Sequence, residues 1–185
     1  MATILVPMIR LFTALEIPDE IAARLTRLQR GLESARWIDR ENFHITLRFI
    51  GDIPEDVAAD VDAALEEVPF EPFEIEIEGV GEFGGRKPDA VWAGVKLTEP
   101  LRLLQARHES AARRAGLRPE TRKYTPHVTL ARLRGAEAPE VYHYIEANNL
   151  FATPKFGVTR AVLFSARATT GGGPYVPERY YPPED

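Results

Sequence analysis

Asn42-Phe-His-Ile-Thr-Leu-Arg-Phe-Ile-Gly51 and Tyr124-Thr-Pro-His-Val-Thr-Leu-Ala-Arg132 are near copies of one another. Each carries His-x-Thr-Leu with an apolar residue at x, namely His44-Ile45-Thr46-Leu47 and His127-Val128-Thr129-Leu130. Both lie in β-like runs, so both are predicted strands. Side chains of a strand alternate between faces. His44 and Thr46 therefore share one face, with Ile45, Leu47 and Phe49 on the other. His127 and Thr129 likewise stand opposite Val128 and Leu130. Each stretch presents an imidazole and a hydroxyl on one surface and buries the other. Two copies predict a site of two histidines and two threonines.

The surrounding sequence repeats with the motifs. Before the first copy come a strand over 10–17 and a helix opened by Pro18-Asp19, with Ile21, Leu25, Leu28 and Leu32 at helical spacing. Trp37-Ile38 is a short strand. The first motif strand is expected to end at Gly51-Asp52. A helix from Pro54 follows, stopped by Pro69. Phe73 to Glu78 alternates strictly, the glycines from Gly79 to Gly85 read as a loop, and Ala90 to Leu97 is the next strand. A helix then runs from Thr98-Glu99-Pro100 to about Ala115, with Gly116 as its C-cap. A basic connection, Arg118 to Lys123, leads to the second motif strand. After it come a helix from Pro139 to about Asn148 and strands at 156–158 and 161–165. Gly171-Gly172-Gly173 reads as a loop, and the proline-rich tail as an edge strand.

His127 follows His44 by 83 positions. The same shift carries the helix at 19–33 onto 102–116, the helix at 54–67 onto 137–150, and Phe73 onto Phe156. This register implies two copies of one β-α-β-α-β-type module. A pseudo-two-fold axis would set the two motif strands face to face. One bilobal domain is expected over 1–185, with lobes formed by repeats at roughly 10–97 and 98–185.

Composition restricts the function. The 185 residues contain no cysteine, which removes disulfides, thiolate metal sites and a cysteine nucleophile. The net charge of −5 argues against coating long nucleic acid, which requires many neutralised phosphates. A few local arginines could still hold one terminal phosphate. Met1 to Ile9 is apolar, but too short for a membrane span and without a signal-peptide n-region. A cytoplasmic monomer is the expectation.

Two histidines across a cleft suit acid–base work on a phosphodiester. Imidazole titrates near neutrality, so one ring can take a proton while the other gives one. Threonine hydroxyls on the same faces can hydrogen-bond phosphate oxygens and stabilise charge developing there. Such a site needs no metal and no cofactor.

These motifs, with Arg10-Leu-Phe-Thr-Ala-Leu-Glu-Ile-Pro18 near the start, resemble the 2H phosphoesterase superfamily. More specifically the chain is similar to RNA 2',3'-cyclic phosphodiesterases, also called 2'-5' RNA ligases. The resemblance covers nearly all of the chain from Arg10. It implies a bilobal α+β fold, with two mainly antiparallel sheets lining a central cleft that holds both histidines and helices outside, and hydrolysis of a terminal RNA 2',3'-cyclic phosphate to a 2'-phosphate. Carried over by position, His44 would be the proton donor to the leaving 3'-oxygen and His127 the acceptor that activates water. Thr46 and Thr129 would hold the phosphate. The family name also records reversible joining of RNA ends through a 2'-5' linkage, with the two histidines exchanging roles as the direction changes.

Arg48 extends the His44 and Thr46 face and is a phosphate-binding candidate. Arg132, five residues past His127, faces away by strict alternation unless a bulge returns it to the cleft. The resemblance keeps it as a substrate-binding candidate. Tyr124 and Phe12 could stack on a base. Arg118, Arg122 and Lys123 form a basic loop that could make an electropositive lip for RNA phosphates. His108 and His143 are expected to face solvent, and Trp37 and Trp92 to be packing residues. Gly79-Val-Gly-Glu-Phe-Gly84 matches a dinucleotide fingerprint, but no helix follows, so a hairpin is expected. The rival functions are a non-catalytic RNA-end or nucleotide-binding module, a metallohydrolase using both histidines, and another 2H-type cyclic-nucleotide or 2'-5' phosphodiesterase.

Overall fold

The first half of the chain forms β1 (Met8–Glu16), α1 (Asp19–Thr26), β2 (Ala35–Trp37), a 3-10 turn (Arg40–Asn42), β3 (His44–Pro54), α2 (Glu55–Glu66), β4 (Phe73–Ile75) and β5 (Ile77–Phe83). The order is then repeated by β6 (Ala90–Val95), α3 (Glu99–Arg114), β7 (His127–Leu133), α4 (Ala138–Asn148), β8 (Phe156–Val158) and β9 (Ala161–Ala166), and β10 (Tyr175–Tyr181) follows. This computed structural model describes residues 6–166 and 173–184. The expected loop at Gly171-Gly172 lies outside the described residues. No helix among them is long and apolar enough to cross a membrane.

The strands form two four-stranded sheets, ordered β10-β9-β1-β3 and β2-β7-β6-β5, and a small β4-β8 pair. Every pairing is antiparallel. The run β9-β1-β3 in one sheet corresponds to β5-β6-β7 in the other, as the repeat predicts. The sheets do not follow the chain halves at 10–97 and 98–185, however. The first sheet takes β1 and β3 from one half and β9 and β10 from the other. The second takes β2, β5 and β6 from one and β7 from the other. β9 thus covers the free edge of β1, and β5 that of β6, edges that would otherwise stay unpaired.

Apolar faces of both sheets meet the helices in one main core. Leu15, Ile45 and Leu47 from the first sheet join Val91, Ala93, Val128 and Leu130 from the second. α2 and α3 pack on β3, and α4 on β5. Ile21 and Leu25 of α1, Leu101 and Leu104 of α3, and Val141 and Tyr144 of α4 supply the helical side of that core. The motif strands β3 and β7 come into contact with each other. A second cluster of Leu11, Ile53, Val61, Leu65 and Ala111 seats α2 and α3.

Three local expectations change. The helix at 19–33 ends at Thr26, after which tight turns such as Leu28 N–H to the Leu25 carbonyl (3.0 Å) carry the chain to Gly31 (φ +84°). β3 does not stop at Gly51, whose φ of +87° accommodates an irregularity in register, and it runs on to Pro54. The glycines at 79–83 belong to β5 rather than to a loop. Gly79 (φ +71°) takes up a register shift between Ile77 and Val80. Gly81 lies under the Trp92 ring, where a Cβ would come within 2.4 Å of it. β5 and β6 form a hairpin and no helix follows.

His143 is exposed as expected, but His108 is not. It is 1% exposed on α3 and shares a 2.9 Å hydrogen bond with the buried Thr13 hydroxyl of β1. Its place on an arginine-rich helix hid the fact that this face of the helix meets the first sheet. Burial lowers its pKa from the ordinary 6.5 to about 4. The unfolded chain therefore binds a proton that the native chain excludes. Stability is fully present above pH 6.5 and is lost as the pH falls towards 4, by up to ~3 kcal/mol for this residue. Urea unfolding between pH 7 and 4 should show this loss, and His108→Gln should flatten that part of the curve. An identical slope in the variant would refute the assignment.

Candidate active site

β3 and β7 deliver the two motifs by the same local device. The His44 Nδ1 lies 2.9 Å from the Asn42 carbonyl oxygen, and the His127 Nδ1 lies 2.6 Å from that of Thr125. Asn42 and Thr125 occupy equivalent places in the repeat. A carbonyl can only accept, so each Nδ1 carries the hydrogen. In a neutral ring Nε2 is then the bare nitrogen, free to face the cleft. Both imidazoles, both threonines and Arg132 line a single cavity of about 190 Å³.

Aromatic rings enclose each histidine. Phe12 (4.8 Å between ring centroids), Tyr175 (5.1 Å, edge-on) and Phe164 (6.4 Å) surround His44. Phe83 (4.9 Å, edge-on) and Trp92 (5.8 Å) surround His127. Phe164 and Phe83 hold equivalent positions on β9 and β5. Desolvation in this setting lowers the pKa of His44 to about 4, against the opposing pull of the Asn42 carbonyl, and the charges of His127 and Arg132 push it the same way. Burial also lowers His127, opposed by the Thr125 carbonyl and assisted by Arg132. Both rings are thus neutral at pH 7, and an incoming anion would offset the Arg132 charge and make protonation easier.

A β-bulge sits at the same place in each motif strand. Ala14 pairs with Thr46, but Thr13 pairs with Arg48, leaving Leu47 extra. Trp92 pairs with Thr129, but Val91 pairs with Ala131, leaving Leu130 extra. One extra residue reverses the alternation beyond it. Arg132 is thereby returned to the cleft, where it makes no ion pair among the described residues. Phe49, read as core-facing, is returned with it and stands 49% exposed at the cavity wall. The 83-residue shift carries Phe49 onto Arg132, so one bulge predicts the other.

Arg48 is turned the opposite way. It is 8% exposed and does not line the cavity of the histidines. Its Nε donates to Glu109 of α3, one Nη to the Phe49 carbonyl, and the other Nη to the Arg118 carbonyl at 2.6 Å. With every nitrogen engaged, it is a buried strut rather than a phosphate ligand. Glu109 also accepts the Glu120 backbone N–H at 2.9 Å, so the pair ties the loop before β7 to α3 and β3. Tyr124 is half-buried and donates its hydroxyl to the Thr46 carbonyl at 2.8 Å, bracing the motif strand. Phe12 is 4% exposed and forms the floor beneath His44. Trp37 packs against Tyr144, whereas Trp92 packs against His127 itself.

Sequence reasoning missed Phe49, Phe83, Asn42, Tyr175 and Arg10 at the cleft. Arg10 is paired with Asp52 at 2.6 Å. Phe83 and Tyr175 reach the site only through the exchanged strands, which no local pattern marks. Among the described residues no three His, Asp or Glu side chains come together in a way that could hold a metal ion.

The profile of the 2'-5' RNA ligase superfamily matches residues 17–170. The RNA 2',3'-cyclic phosphodiesterase of Archaeoglobus fulgidus is 33% identical over 136 residues, covering 71% of this chain and 76% of that protein. The protein of the same name from Aquifex aeolicus is 30% identical over 181 residues, covering 92% and 93%. Among solved structures, E. coli LigT complexed with 3'-AMP superposes with a TM-score of 0.76 at 22% identity, over 94% of this chain and 97% of that one. Thermus thermophilus TT0787 gives 0.75 at 23% identity, over 92% and 96%. These two structures share the fold described above.

Proposed function

The chain belongs to the 2'-5' RNA ligase superfamily, and from that membership we propose that it hydrolyses the 2',3'-cyclic phosphate at an RNA 3' end to a 2'-phosphate. The relatives that bear this activity in their names support the reaction. The observation that carries the chemistry is the pair of equivalent imidazoles, each with Nδ1 tied to a carbonyl, in one cavity with two threonines.

In the proposed reaction His127 Nε2 takes a proton from water as the oxygen attacks phosphorus. The bond from phosphorus to the 3'-oxygen breaks, and His44 Nε2 gives its proton to that oxygen. The product carries a 2'-phosphate and a 3'-hydroxyl. Thr46, Thr129 and Arg132 hold the other phosphoryl oxygens, whose charge grows in the transition state. A 5'-hydroxyl in place of water would join two ends through a 2'-5' linkage. The cavity excludes much of the bulk solvent around both rings, and the anionic substrate supplies the charge that lets His44 hold a proton before it is delivered. Every group named comes from one chain, so a single copy suffices.

The test is incubation, with chelator present, with a short RNA ending in a 2',3'-cyclic phosphate, followed by identification of the terminal phosphate. A 2'-phosphate product is expected at an undiminished rate. A 3'-phosphate product, or loss of turnover with chelator, would overturn the mechanism. Binding without turnover would leave an RNA-end-binding module.

A further inference from the structure

The cavity of the two histidines is not the end of the cleft. Thr46, Phe49, His127 and Arg132 also line a wider groove of about 500 Å³. Arg122, Lys123 and Tyr124 of the loop before β7 line it, together with Phe83 of β5. The inner cavity, at about 190 Å³, falls below the ~300–1,000 Å³ usual for small-molecule pockets. It has room for the reacting end of one nucleotide and no more.

We infer that the outer groove holds the nucleotides preceding the cyclic end, so that the substrate is recognised as a single strand rather than as a mononucleotide. This rests on the proposed hydrolysis and adds the substrate's path to it.

Three observations support it. Phe49 and Phe83 are large aromatic side chains left 49% and 37% exposed at the groove, a costly arrangement unless something covers them. Aromatic faces of this kind stack on bases of any identity. Lys123 and Arg132 make no ion pair among the described residues, while Arg122 and Glu120 largely satisfy one another at 3.0 Å. Two cations without an ion pair among the described residues thus line a groove in a chain of net charge −5. Asp89 is the opposing charge there. Finally, the groove shares four residues with the histidine cavity. The other large hollow, beside Glu74, Lys96 and Lys155, shares none.

The experiment compares kcat/KM for a nucleoside 2',3'-cyclic phosphate with that for RNAs of two, three and four nucleotides ending in the same group. Adding one or two nucleotides should raise kcat/KM by at least ~fivefold, the effect of about one stacked base. A tenfold rise in salt should cut that advantage by about fivefold for each phosphate held. Lys123→Glu should remove most of the advantage and leave the mononucleotide rate as it was. Equal kcat/KM at every length, or a Lys123→Glu effect on both substrates alike, would overturn the inference. If the protein turns over neither substrate, the reading of the catalytic centre fails separately. The groove is then still tested by the affinity of 2'-phosphorylated RNAs as a function of length, which should rise with each of the first added nucleotides and overturns the inference if flat.

Discussion

His44→Ala and His127→Ala each lower kcat on the cyclic-phosphate RNA by about 10²–10⁴-fold, the range in which positioned proton donors and acceptors act. The double variant should be scarcely slower than either single one, because the two rings serve one step. The pH dependence has a defined sign. The reaction needs one protonated and one neutral ring, and burial lowers both pKa values in the free protein. The alkaline fall in kcat/KM should therefore begin below the ordinary histidine value of 6.5. Bound phosphate anion favours the protonated form, so the same limb in kcat should lie at higher pH. Steady-state profiles from pH 4 to 9 check this. Either single variant keeping more than about a tenth of the wild-type rate would exclude its ring from the proton transfer.

The second large effect is on stability. Glu109→Ala leaves the Arg48 guanidinium, 8% exposed, without its counter-charge and the Glu120 N–H without its acceptor. Breaking a buried pair from one side costs roughly 3–5 kcal/mol. In a chain of this length that lowers Tm by roughly 6–20 °C. Removing both charges with Arg48→Met and Glu109→Leu should cost less than Glu109→Ala alone, because no isolated charge remains. Thermal unfolding of the wild type and the two variants decides it. A change of less than about 2 °C in Glu109→Ala would mean that Arg48 is not held as a strut, and would return it to the list of phosphate ligands.

The two motif strands, the helices that follow them and the 83-residue repeat were legible because they are local. Alternation over four residues shows which face carries His44 and Thr46, and duplication distinguishes the pair from chance. The cleft histidines followed from that alone. The bonds from Nδ1 to the carbonyls of Asn42 and Thr125 follow from the same short stretches, two residues upstream of each ring.

What lies beyond each threonine was decided by pairing partners distant in the chain. The bulges after Thr46 and Thr129 arise from register against β1 and β6. They bury Arg48, which strict alternation would leave in the cleft, and install Phe49 and Arg132 there instead. The exchange of β5 and β9 between sheets brings Phe83 and Phe164 to the histidines, and the docking of α3 on the first sheet buries His108. Alternation determines a face only while the register holds. Where one strand gains a residue on its neighbour, that choice belongs to the pair of strands and not to either sequence segment.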